Sequence, residues 1–170
     1  MERWDTPTET GMAFDDRVVW SEGMFIRAQH FQQSERYFQR ILNDRTRGLR
    51  AYGWGLTELK LNRELLSIGR FAVEQACGVF EDGTPFAAPE GADELTPLQL
   101  DQNLHNVVIY LTLPIVQPGG RETALNKDAP ARFTSVDIDV TDANSSEITP
   151  ASITVGKLRL RYALETNERA

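Results

Sequence analysis

The sequence is poor in the residues that carry metal and nucleophile chemistry: one cysteine, two histidines and three lysines in 170 residues. A lone Cys77 rules out an internal disulfide framework and fits a reducing compartment. His30 and His105 are far apart, and His30 has Ser34 rather than a second imidazole one turn on, so no metal is expected. There is no Gly-x-Ser-x-Gly elbow, and Gly53-Trp54-Gly55 lacks the third glycine of a phosphate cradle, so no cofactor is expected either. The start, Met1 to Pro7, has no apolar stretch of the kind an export signal needs. The longest uncharged apolar run, Val107 to Val116, is broken by Pro114 and falls well short of the roughly 20 residues a membrane-spanning helix needs. Fixed-period repeats and low-complexity tracts are missing, which excludes solenoid and fibrous architectures. Bases are outnumbered, 18 to 25, and the net charge of −7 argues against a nucleic-acid partner bound through its phosphates.

What is present is an ordinary globular balance, 41% hydrophobic and 25% charged, enough for one domain with a core. Residues 1–17 read as a polar arm broken by Pro7 and Gly11. Residues 18–50 hold a short apolar burst, Val18-Val19-Trp20, and then a helix from Ala28, where Phe31, Phe38, Ile41, Leu42 and Leu49 recur near the helical period. That stripe is narrow, which suits a helix packed on the outside of a domain or against a partner. Residues 51–170 turn to β patterning. Leu56, Leu59 and Leu61 lead into Leu65 and Ile68, and Phe71, Val73, Cys77 and Val79 alternate with Ala72, Glu74, Ala76 and Gly78. Gly83 supplies a tight turn, and Ala87 to Asn106 is a long loop rich in Pro, Gly and acids. Val107 to Leu113 reads as a central strand, apolar on both faces, and two alternating runs follow at Val136–Val140 and Leu158–Leu164. Six or more short strands with one N-terminal helix predict a mainly β fold, a β-sandwich with a helical appendage.

Acid–base chemistry would need two carboxylates in unlike environments. Asp15 and Asp16 sit in a polar arm, and Asp137 and Asp139 share a solvent-facing side of a strand. Asn144-Ser145-Ser146 spells a glycosylation site, but without a secretion signal it reads as a loop. Cys77 reads as a small buried hydrophobe. Nothing here points to an enzyme.

The charge distribution is more informative. Between Arg27 and Arg50 six arginines face two acids, a local balance of +4 that leaves −11 on the rest of the chain. Arg36 and Arg40 lie one turn apart and share a face. Arginine's rigid fork of donors is suited to docking surfaces, although a solvated helix face would look the same.

The block Trp20-Ser21-Glu22-Gly23-Met24-Phe25, followed by Gln29-His30-Phe31-Gln32-Gln33 and Arg36-Tyr37, resembles the N-terminal signature of the TssK family, baseplate subunits of the type VI secretion system. The likeness continues at Tyr52-Gly53-Trp54-Gly55, Leu65-Leu66 with Gly69, Gly78 with Asp82-Gly83-Thr84, and Val108 to Pro114. The resemblance implies a cytoplasmic structural protein at the inner face of the inner membrane. It implies a β-sandwich shoulder, like that of siphophage receptor-binding proteins, docked on the TssF–TssG wedge. It implies a homotrimer in the full-length protein, with the membrane complex reached only through a C-terminal head. This sequence stops after the last shoulder strand, so the neck and head are expected to be absent from it. The residues expected to form or support the protein contact are Trp20, Met24, Phe25, His30, Phe31, Gln32, Arg36, Tyr37 and Arg40. The alternative is a receptor- or carbohydrate-binding sandwich, which would need exposed aromatics in a cleft.

Overall fold

A computed structural model describes residues 15–117, 119–124, 131–144 and 150–165. The polar arm therefore lies almost entirely outside the described residues. The chain divides into two compact units, one reaching to Trp54 and including Glu81–Gly83, the other running over Gly55–Phe80 and from Thr84 onward.

The first unit is built on α1, Ala28–Leu49. Its start is set by Arg27 in an extended conformation, whose backbone N–H donates to His30 Nδ1 at 3.0 Å. His30 thus fills the place usually taken by Glu or Gln in a capping box. No glycine or proline interrupts the helix before Gly48, and Arg47 in the last turn complements the helix dipole. No residue of α1 is buried. The Glu81–Gly83 turn belongs with this unit: Asn43 Nδ2 donates to the Asp82 carbonyl at 3.2 Å. Gly83 has φ +89°, and a Cβ there would stand 2.5 Å from Asn43 Oδ1, so both backbone and space demand glycine.

The second unit is mainly β, as expected. β1 (Gly55–Leu61), β3 (Val73–Val79) and β4 (Pro85–Ala88) form an antiparallel sheet in the order β1-β3-β4. Short ladders join β2 (Arg70–Phe71) to β5 (Leu98–Gln99) and β6 (Ile109–Thr112) to β9 (Arg161–Leu164). β7 (Phe133–Thr141) and β8 (Pro150–Leu158) make a nine-pair ribbon. The core gathers Ala76, Phe86, Ala88, Ala92, Leu158 and Leu160, with Val73, Phe80, Leu95, Leu111, Leu113 and Phe133 packed against it. β3 turns its small residues inward: Ala76 is wholly buried and Gly78 buried, whereas Val73, Cys77 and Val79 are half-buried. The reason is close approach. A Cβ on Gly78 would lie 2.3 Å from the Gly55 carbonyl oxygen and 3.0 Å from the Phe86 ring.

Three local readings are corrected. Leu65 and Ile68 do not continue a strand; Arg63–Ser67 is a short helix, α2, because Asn62 Oδ1 accepts the Leu65 N–H at 3.0 Å and caps it. Val107 to Leu113 is not a central strand: β6 is four residues long, pairs on one side with β9, and leaves Val108 and Tyr110 exposed. The run from Leu158 to Leu164 is not one strand. It breaks at Arg159-Leu160, where three successive residues, Leu158, Arg159 and Leu160, are buried and the Arg159 N–H donates to the Arg132 carbonyl at 2.9 Å.

Candidate docking surface

The segment leading into α1 is shaped by Gly23, which at φ +75° permits a turn closed by the Met24 N–H donating to the Ser21 carbonyl at 3.3 Å. The turn brings Trp20 back over the start of the helix. Its ring centroid lies 6.1 Å from that of His30 and 6.3 Å from that of Phe31. Phe25 stands out further, 81% exposed, with the Arg27 guanidinium carbon 6.0 Å from its ring centroid. Val19, Trp20, Ile26 and Phe31 are exposed as well, and Met24 is half-buried. Five large apolar side chains thus stand in solvent within thirteen residues, two of them, Trp20 and Phe31, with rings in contact.

The arginines lie elsewhere on the helix. Arg36 Nη2 donates to Gln33 Oε1 at 3.0 Å, and Gln33 Nε2 donates to the Asp16 carbonyl at 2.7 Å. Arg40 Nη1 is 3.7 Å from Asp16 Oδ1, and its guanidinium carbon is 5.6 Å from the Tyr37 ring centroid. Arg36, Tyr37 and Arg40 are half-buried, while Gln32 is exposed. The structure therefore brings Trp20, His30 and Phe31 together at the head of α1. It gathers Arg36, Tyr37 and Arg40 into a second group that ties the chain at Asp16 to the helix.

Sequence reasoning missed Val19, Ile26, Phe38, Leu42 and Leu49 as surface residues. The last three are 60%, 63% and 86% exposed, and with Phe31 at 62% they form the most apolar stripe of α1. Their spacing was legible as helical periodicity. Which way that periodicity points is decided by what packs on the opposite side.

Among the described residues, no group of three or more His, Cys, Asp or Glu side chains could hold a metal ion. Two hollows, beside Pro114–Gln117 and Arg132 and beside Leu59–Glu64 and Glu74, are lined by no His, Cys, Ser or aromatic residue. Among the described residues, no helix is long and apolar enough to cross a membrane.

Comparison with known proteins gives a consistent result. The model of the bacterial type VI secretion family that includes EvfL, ImpJ and VasE matches residues 30–170. A curated relative from Pseudomonas aeruginosa, the type VI secretion system baseplate component TssK1, is 40% identical over 156 residues, covering 91% of this chain and 35% of that protein. A crystal structure of TssK superposes with a TM-score of 0.83 at 32% identity, over 92% of this chain and 36% of the other. At 21% identity the fold is shared, with a TM-score of 0.79 over 91% of this chain and 52% of the other, with a chain of a TssK-TssF-TssG baseplate subcomplex. The chain thus spans about a third of the length of the curated relative.

Proposed function

The chain belongs to the TssK-type (VasE) family of bacterial type VI secretion, and from that membership we propose that it is the shoulder of a baseplate subunit, a structural part that docks on a TssF–TssG wedge. The observation that carries the docking role is the exposed cluster at the head of α1. Trp20, His30 and Phe31 are held together by a glycine turn and a helix cap, and Val19, Phe25 and Ile26, close to them in sequence, are exposed as well. Buried aromatic anchors ringed by polar residues are what concentrates binding energy at protein interfaces. Arg36, Tyr37 and Arg40 support that surface by fixing the approach of the chain at Asp16. In this reading the full-length protein is a homotrimer on the cytoplasmic face of the inner membrane, does no catalysis, and meets the membrane complex through a separate head. A glycan-binding sandwich is less well supported, because the exposed aromatics, from Trp20 and Phe25 to Tyr52, Trp54 and Tyr110, line neither hollow.

The test is co-purification of this chain with a cognate TssF–TssG complex, with light scattering on the chain alone. Co-elution supports the reading. A folded chain that never co-elutes with the wedge removes these residues as a sufficient docking surface.

A further inference from the structure

The residue that caps α1 is one that changes charge near neutral pH. In a capping box the side chain three positions beyond the N-cap reaches back to the N-cap N–H, and Glu or Gln serves there because its oxygen accepts throughout the neutral range. In α1 the position belongs to His30, whose Nδ1 lies 3.0 Å from the Arg27 backbone nitrogen and 3.3 Å from the Arg27 carbonyl oxygen. That carbonyl already accepts the His30 backbone N–H at 3.0 Å. The Arg27 N–H has no other acceptor among the described residues, and a ring that serves it carries no hydrogen on Nδ1.

Imidazole takes up a proton between pH 8 and pH 5, and the cation donates from both nitrogens. An Nδ1 hydrogen can turn to the Arg27 carbonyl, but the Arg27 N–H is then left without its acceptor. The surroundings do nothing to offset this. The start of a helix carries partial positive charge, and α1 has no acid in its first turn. Arg27 adds a full positive charge beside the cap, its guanidinium carbon 6.0 Å from the Phe25 ring centroid. One turn further on stands Ser34, which is uncharged. The segment that meets the ring presents the Trp20 indole, with centroids 6.1 Å apart. Of the charged residues on that segment, Asp16 lies 3.7 Å from Arg40, while Arg17 and Glu22 are exposed and make no ion pair among the described residues. We propose that His30 is a proton-operated cap. Neutral, it holds the first turn of α1 in place beneath Trp20; as a cation it releases the Arg27 N–H and the turn frays. The inference concerns the start of α1 alone. It does not rest on wedge docking, and no wedge protein takes part in its test.

The experiment is NMR on the whole isotope-labelled chain, titrated from pH 8 to pH 5 as wild type, His30→Gln and His30→Ala. A His105→Gln background leaves His30 as the one histidine of the wild-type arm, so its ring signals are unambiguous. In that arm the Arg27 amide proton is expected to move upfield with the midpoint of the His30 ring. The Cα shifts of Ala28 and Gln29 move toward coil values in step with it, which a nearby charge alone would not produce. His30→Gln keeps an acceptor that does not titrate, and holds the bonded shift at every pH. His30→Ala lies at the unbonded end throughout. An Arg27 amide that stays in place while the ring titrates, helix shifts that ignore the ring, a ring that stays neutral down to pH 5, or a His30→Gln chain that follows the wild-type curve overturns the proposal.

Discussion

The Tyr162 hydroxyl accepts the backbone N–H of Val73 at 2.9 Å, joining positions 89 residues apart in sequence. The same ring meets Phe71 edge-on, with centroids 5.1 Å apart and planes at 87°. One side chain on β9 thereby satisfies the donor at the start of β3 and braces the aromatic at the end of β2. Without the hydroxyl, a half-buried donor would lose its partner while the packing stayed in place.

Tyr162→Phe is therefore expected to destabilise the β unit by about 1–3 kcal/mol, the usual cost of leaving such a group unsatisfied. Urea unfolding checks this, with an unchanged slope showing that only stability has moved. An unaltered midpoint would mean that water replaces the phenol at no cost.

The same tyrosine gives a pH dependence. Burial pushes its pKa above the usual 10.0, partly offset by the hydrogen bond from Val73. Above pH 10 the unfolded chain gives up this proton before the folded one does. The contribution is therefore intact below pH 10, and stability falls as the pH rises beyond it. Melting temperatures between pH 9 and 11 should decline more steeply for the wild type than for Tyr162→Phe.

Gly78→Ala is expected to cost about 1–3 kcal/mol, in the range of overpacked cores, because its new methyl meets a backbone carbonyl that cannot swing aside. Thermal unfolding measures the loss. A neutral result would show that β1 can move off β3 freely.

Phe25→Ser together with Trp20→Ala removes the two aromatics that flank the Gly23 turn. Wedge affinity should fall about tenfold or more, with the melting temperature nearly unchanged, as expected of anchors rather than core residues. Biolayer interferometry against immobilised TssF–TssG would measure it, with circular dichroism as the folding control.

Arg36→Glu with Arg40→Glu breaks the ties to Gln33 and Asp16, and is expected to weaken the same binding by about tenfold. If binding is unchanged in the same assay, the docking surface reduces to the aromatic cluster.

Much of this fold was legible because the responsible residues act locally. α1 shows in the sequence as an unbroken periodic run from Ala28, and the Gly83 turn shows as a glycine where only positive φ closes the reversal. Other features depend on distant partners. Val outranks Ala in any hydrophobicity scale, yet Ala76 and Gly78 face inward because Gly55 and Phe86 come so close. Leu65 and Ile68 are spaced for either a turn of helix or an irregular strand; the side chain of Asn62 decides, and its capping position was the available signal. Alternation from Leu158 to Leu164 gave no hint of a break. Within the docking residues, the kinship of the motif was readable from order and spacing, but the division into an aromatic cluster and an arginine–Asp16 brace needed coordinates.

The β7–β8 ribbon carries a consequence for how the β unit comes apart. Its outer pairs, Ile138 with Ile153 and Val140 with Ala151, are exposed on a two-stranded ladder, whereas the inner end at Phe133 and Leu158 is anchored in the core. Amide protons should therefore exchange in sequence along the ribbon, fastest beside Thr141 and Pro150 and slowest beside Leu158. The ribbon unzips from its tip, while the sheet of β1, β3 and β4 opens only with the whole unit.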